Sequence, residues 1–228
     1  MRAALQDVRA PLTPSARFRG KLELVIGPYS EACARLVDDP RLRELWPEYL
    51  VAQHQIIRAT VPLTRVALAE TKALGDDPAG LADYLELHVD EELGHDETLL
   101  DDLELLGLER AQVLGRMPSP AVASLVGAQY YWIVHHHPVA FLGYVGVMEG
   151  YPPADELVEL LIERTGFPRE AFRTFSEHGE LDPGHRDHLD RTLESLPLTA
   201  RHEQAIEASA VATVALATDA LEEVLARA

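Results

Sequence analysis

The sequence predicts an all-α protein built as a single domain. Nearly every segment repeats its apolar residues at helical spacing, and strand-like alternation is scarce. The interruptions fall at proline and glycine punctuation, which ends helices. A chain of 228 residues with 47% hydrophobic content can fill one core and does not read as disordered.

The elements follow in order. Residues 1–16 read as a loose N-terminal arm, marked by Pro11 and Pro14, and residues 17–228 as one helical domain. A first helix is expected over 17–37, ending before Asp39-Pro40. A second covers 41–74 with a kink at Pro62 and stops at Gly75-Asp76-Asp77-Pro78. The next spans 79–106 and ends at Gly107, and a short segment follows over 109–116. Ser119 then offers an N-cap, with Pro120 at the first helical position. That helix runs to 136, and its continuation from Pro138 ends at Gly150. Helices over 153–165, 169–194 and 198–227 complete the chain, with Gly166-Phe167-Pro168 between the first two.

Charge and composition narrow the function. A net charge of −18 repels phosphate backbones and anionic membranes, so no nucleic-acid or membrane partner is expected. The most apolar stretch, Ala121 to Met148, is interrupted by His135, His136, His137 and Pro138, unlike a membrane span. No secretory signal is visible, and the single cysteine, Cys33, excludes an intramolecular disulfide. Both favour a cytoplasmic location. Cys33 lies on an amphipathic segment without a nearby histidine and reads as a small buried hydrophobe.

One spacing occurs twice and carries the chemistry. His88-x3-Glu92-x2-His95 and His178-x3-Asp182-x2-His185 each place two imidazoles and a carboxylate at offsets of four and seven. On a helix those offsets return to within about 40° and 20° of the first residue. Two such stripes face to face would offer four nitrogens and two carboxylates, a set suited to one or two first-row metals, iron above all. The carboxylate-x2-histidine element resembles the motif of bundle diiron sites, where two other helices add one glutamate each. Glu149 is the candidate for an extra ligand, because it ends the apolar run AFLGYVGVMEG, where a charge needs a partner. No matching glutamate precedes the first triplet; Glu48, His54 and Glu70 are the nearest candidates. Glu91 competes with Glu92, and His188 is a spare. Pro183 and Gly184 weaken a helix, so an exposed histidine-rich loop is the alternative for the second triplet.

EELGHDE around Glu92 and His95, Glu149 in VMEG, and HGELDPGHRDH resemble, in order and spacing, the heme-oxygenase-like diiron oxidases. Their wider superfamily also holds the TenA-type thiaminases and PqqC-type oxidases. The resemblance covers roughly residues 40–195. It implies a seven-helix heme-oxygenase-like bundle with a nonheme diiron centre, two Fe(II) per chain and O2 as co-substrate. It implies a small amino-acid- or fatty-acid-derived substrate, changed by N-oxygenation, desaturation or oxidative C–C cleavage, in biosynthesis. His95, Glu149, His178, Asp182 and His185 would then be ligands, with Glu92 or His88 completing the first iron. An external electron donor and a homodimer are the expected partners. A ferritin-like iron protein and a metal-free binder or cofactorless oxidase are the rival readings. A thiaminase would need a reactive cysteine, and a heme oxygenase a histidine near its start, whereas the first here is His54.

Overall fold

A computed structural model describes residues 12–75 and 78–227, with the backbone but not the side chains of Asp182 and Pro183. Every regular element among these residues is helical: α1 (Pro14–Val25), α2 (Gly27–Asp38), α3 (Leu42–Leu74), α4 (Leu81–Glu92), α5 (His95–Leu105), α6 (Arg110–Leu114), α7 (Pro120–His135), α8 (Phe141–Met148), α9 (Asp155–Thr165), α10 (Arg173–Ser195) and α11 (Ala200–Leu225). Short 3-10 turns at Pro138–Ala140 and Arg169–Phe172 lead into α8 and α10. With α1–α2 and α4–α5 each counted as one broken helix, and the five-residue α6 set aside, eight principal helices remain among the described residues.

Local chemistry sets the ends. Thr13 caps α1 by accepting the Ala16 N–H, so the helix takes in Pro14 to Ala16, three residues of the expected arm. Residues 1–11 lie outside the described residues. Ser119 caps α7, its hydroxyl accepting the Val122 N–H at 3.2 Å. Thr199 caps α11 in the same way.

Two helices break where the sequence predicts continuity, each for a local cause. The helix expected over 17–37 breaks at Ile26, because Pro28 supplies no N–H to continue the ladder. The helix expected over 79–106 breaks after Glu92: Leu93 is extended and Gly94 takes φ +93°, a left-handed conformation that glycine adopts freely. α3, by contrast, runs unbroken through Pro47 and Pro62, and α10 is helical through Pro183 and Gly184. Tertiary packing overrides weak propensity there, and the second triplet is no loop.

One apolar cluster joins all the principal helices, from Phe18 of α1 through Trp46, Leu85, Leu103, Leu125, Phe141 and Leu189 to Val224 of α11. α8 lies in its centre, with Phe141 through Val147 all buried. Glycine permits that depth: a Cβ on Gly143 would fall 2.1 Å from the Ile206 carbonyl oxygen of α11, and one on Gly146 would fall 2.5 Å from the Phe18 ring. These approaches fix the helix that delivers Glu149.

Candidate metal centre

Four helices deliver the chemical groups. His88 and Glu92 lie one turn apart on α4, and His95 opens α5 beyond the glycine break. Glu149 ends α8, and His178, Asp182 and His185 lie along α10. The first triplet is therefore not one continuous stripe, as spacing alone suggested. The turn at Leu93-Gly94 swings the chain, yet His95 Nδ1 still lies 3.5 Å from a Glu92 carboxylate oxygen.

His88, Glu92 and Glu149 form the tightest group. One ligand atom from each lies within 4.8 Å of the others, and all three are buried. His88 Nε2 stands 3.5 Å from Glu149, and His185 Nδ1 stands 3.8 Å from the other oxygen of that carboxylate. The His95 and His178 rings meet edge to face at 5.0 Å, and His178 Nδ1 donates to the Thr174 carbonyl at 2.8 Å. A carbonyl can only accept, so that bond puts the proton on Nδ1 and leaves Nε2 bare in the neutral ring. The structure thus brings together His88, Glu92, His95, Glu149, His178 and His185. The Asp182 side chain lies outside the described residues, though its backbone sits one turn from both His178 and His185.

The spacing of these groups is informative. Ordinary hydrogen bonds to carboxylates close to about 2.7–2.9 Å. Ligands about 2.1 Å from a common metal lie roughly 3.0–3.4 Å apart at right or tetrahedral angles. The observed 3.5–3.8 Å is nearer the second pattern. Both ring nitrogens of His88 are buried without a hydrogen-bond partner among the described residues. A buried imidazole facing Glu149 at 3.5 Å and Glu91 at 3.9 Å fits a metal ion. The donors are nitrogen and oxygen only, which suits iron and excludes a thiolate site.

The electrostatics agree. Burial pushes the Glu92 carboxyl up, but the imidazoles of His95, His88 and His178 outweigh it and hold the carboxyl below its ordinary value. The Glu92 carboxylate in turn raises the His95 imidazole against the effect of burial. Glu91 is drawn down chiefly by His88, and stands 3.9 Å from His88 and 3.8 Å from His188 at the solvent side of the centre.

Two residues near the centre were not singled out as site residues by sequence reasoning. Tyr84 stacks on His88 at 5.7 Å and touches His188 at 4.9 Å. Its position four residues before His88, on the same face of α4, was the available signal. Tyr144, assigned to the core, also feels Glu92 and Glu149, and its hydroxyl meets Thr60. Burial raises both phenols, Tyr84 well above the ordinary value, so they remain neutral donors.

The remaining candidates lie elsewhere. Glu48 pairs with Arg116 and Arg227. His54 is fully buried among charged neighbours Arg58, Asp96, Glu97 and Arg110. His135 and His136 are exposed against Tyr131 and Trp132. Burial raises the Cys33 thiol, which contacts Tyr29, and this disfavours its thiolate form.

The architecture is that of the heme-oxygenase-like fold. A domain of unknown function with that fold from Shewanella denitrificans superposes with a TM-score of 0.78 at 19% identity, over 92% of this chain and 89% of that one. A TenA homolog from Pseudomonas syringae gives 0.67 at 13% identity, over 95% and 97%. A CADD-like protein of unknown function from Nostoc punctiforme gives 0.63 at 21% identity, over 91% and 96%. Residues 79–220 match the family described as iron-containing redox enzymes; the chain belongs to that family. No curated protein matches it in sequence. Among the described residues, no helix is long and apolar enough to cross a membrane.

Proposed function

We propose that this protein is a nonheme diiron oxidase that uses O2 to oxidise a small amino-acid- or fatty-acid-derived molecule, in a biosynthetic setting. The observation that carries the reading is the buried His88–Glu92–Glu149 group, flanked by His95, His178 and His185, in a chain of an iron-containing redox family.

Glu92, His95 and His88 would hold one iron from α4 and α5, and His178, Asp182 and His185 the other from α10. Glu149, with one oxygen toward His88 and the other toward His185, stands between the two sets. When bound, the irons supply binding and reduction of O2. The Thr174 carbonyl keeps the His178 proton on Nδ1 and orients the ring. Tyr84 and Tyr144 hold phenolic protons beside the carboxylates, and the Phe141 to Val147 wall excludes water. Substrate would reach the centre between α3 and the α7–α8 segment, and electrons would come from an external donor.

The test is anaerobic Fe(II) titration of apo-protein, followed by O2 exposure in stopped-flow absorbance. Saturation near two irons, with an O2-dependent transient lost in His95→Ala and Asp182→Ala, supports the oxidase. Many irons per chain would indicate storage. No stoichiometric binding would overturn the metal reading.

A further inference from the structure

A buried acid outside the ligand set is bonded to the helix that carries His178. Asp102 lies on α5, seven residues after His95 and therefore on the same face. It is 1% exposed, and its nearest cation, Arg173 Nε, stands 4.0 Å from one oxygen. A carboxylate so placed is costly unless it makes a bond that matters.

The bond it makes is to the start of α10. The other Asp102 oxygen accepts the Thr174 N–H at 2.8 Å. Phe172 at the N-cap of α10 has no capping side chain, so the first-turn amide is capped in trans from α5. The carbonyl of the same residue, Thr174, accepts Nδ1–H of His178. Thr174 thus connects Asp102 on its amide side to His178 on its carbonyl side. A second latch joins the same helices at the surface, where Arg173 reaches Asp101 at 3.0 Å and the Thr98 carbonyl at 3.4 Å. Both the surface pair and the buried bond thus tie α10 to α5.

We infer that Asp102 is a positioning residue for the metal centre: through Thr174 it fixes the tautomer and aim of His178 opposite His95. The inference rests on the diiron reading for its meaning but not for its first test. In apo-protein, imidazole 15N shifts should report the Nδ1–H tautomer for His178 in wild type. They should report a mixture in Asp102→Ala, and in Asp102→Leu, which fills the space with carbon. Asp102→Asn keeps an accepting oxygen and should keep the wild-type tautomer, as should the surface-latch variant Arg173→Ala. Co(II) is the second probe. Its affinity should fall about 10- to 100-fold in Asp102→Ala and Asp102→Leu, with a changed visible spectrum, and stay near wild type in Asp102→Asn.

An unchanged His178 tautomer in both the alanine and leucine variants overturns the inference, whatever their melting temperatures, and makes Asp102 a helix cap alone. Wild-type protein that binds no Co(II) overturns the diiron reading instead, while the 15N result still decides the role of Asp102.

Discussion

Replacing Gly143 by alanine adds one methyl group where α8 packs directly on the backbone of α11. The new Cβ would stand 2.1 Å from the Ile206 carbonyl oxygen, 2.8 Å from the Ala210 nitrogen and 3.0 Å from the Ile206 carbonyl carbon. All three are helix backbone, so no side chain can turn aside. Restoring van der Waals separation requires the helices to part by more than about 1 Å, which loosens the surrounding core. Overpacking of a tight core costs about 1–3 kcal/mol, and a backbone clash belongs at or above the upper end. At about 3 kcal/mol, a chain of this size loses roughly 6–12 °C in Tm. Gly127 is the control: it lies exposed within α7, and a Cβ there meets nothing within 4 Å. Gly127→Ala should stabilise by about 0.5–1 kcal/mol, through helix propensity. Thermal unfolding of both variants by circular dichroism reads the two signs. A Gly143→Ala Tm within about 2 °C of wild type would refute the argument from close packing. Because α8 ends in Glu149, the same variant should also bind metal more weakly.

Other outcomes follow from the same structure. Co(II) at one hundred times its dissociation constant should stabilise the protein by about 2.7 kcal/mol, and His185→Ala should abolish that gain in differential scanning calorimetry. Burial holds the His54 imidazole below its ordinary value of about 6.5, so the unfolded chain binds a proton that the folded chain refuses. Stability should therefore drop as pH falls below that value, by up to about 1.4 kcal/mol per pH unit until the folded His54 titrates. His54→Leu should flatten the urea-derived stability curve as pH falls below about 6.5, and equal slopes would contradict the assignment. Ser119→Ala removes the cap of α7 and should cost about 1 kcal/mol, while Ser119→Asp should cost far less.

Much of the fold was legible in the sequence because its signals are local. The all-α class follows from periodicity, and the starts of α7 and α9 and the end of α3 fall near proline, glycine or a capping hydroxyl. What was misread depended on context. A single Gly94 within a periodic run separates α4 from α5, and nothing local distinguishes it from Gly184, over which α10 continues. Within the site, residue identity was readable and arrangement was not. His88, Glu92 and Glu149 stood out by spacing and by a charge ending an apolar run, and the fold brings those three together. The edge-to-face meeting of His95 with His178 depends on the bend at Gly94, which spacing cannot supply. Asp102 carried no signal at all, because the amide it caps is 72 residues away.

The donors are scattered along the chain, with His88, Glu92 and His95 in one stretch, Glu149 far beyond, and His178 to His185 further still. No contiguous fragment up to α8 contains them all. A polypeptide emerging from the ribosome through Glu149 presents only the first half of the donor set, and the α10 half arrives later. Long loops must close before the two halves meet, so assembly of the centre belongs to the end of folding. Under the diiron reading, the His88–Glu92–Glu149 group would be complete once α8 is made, and the α10 donors would join it only after the intervening chain closes.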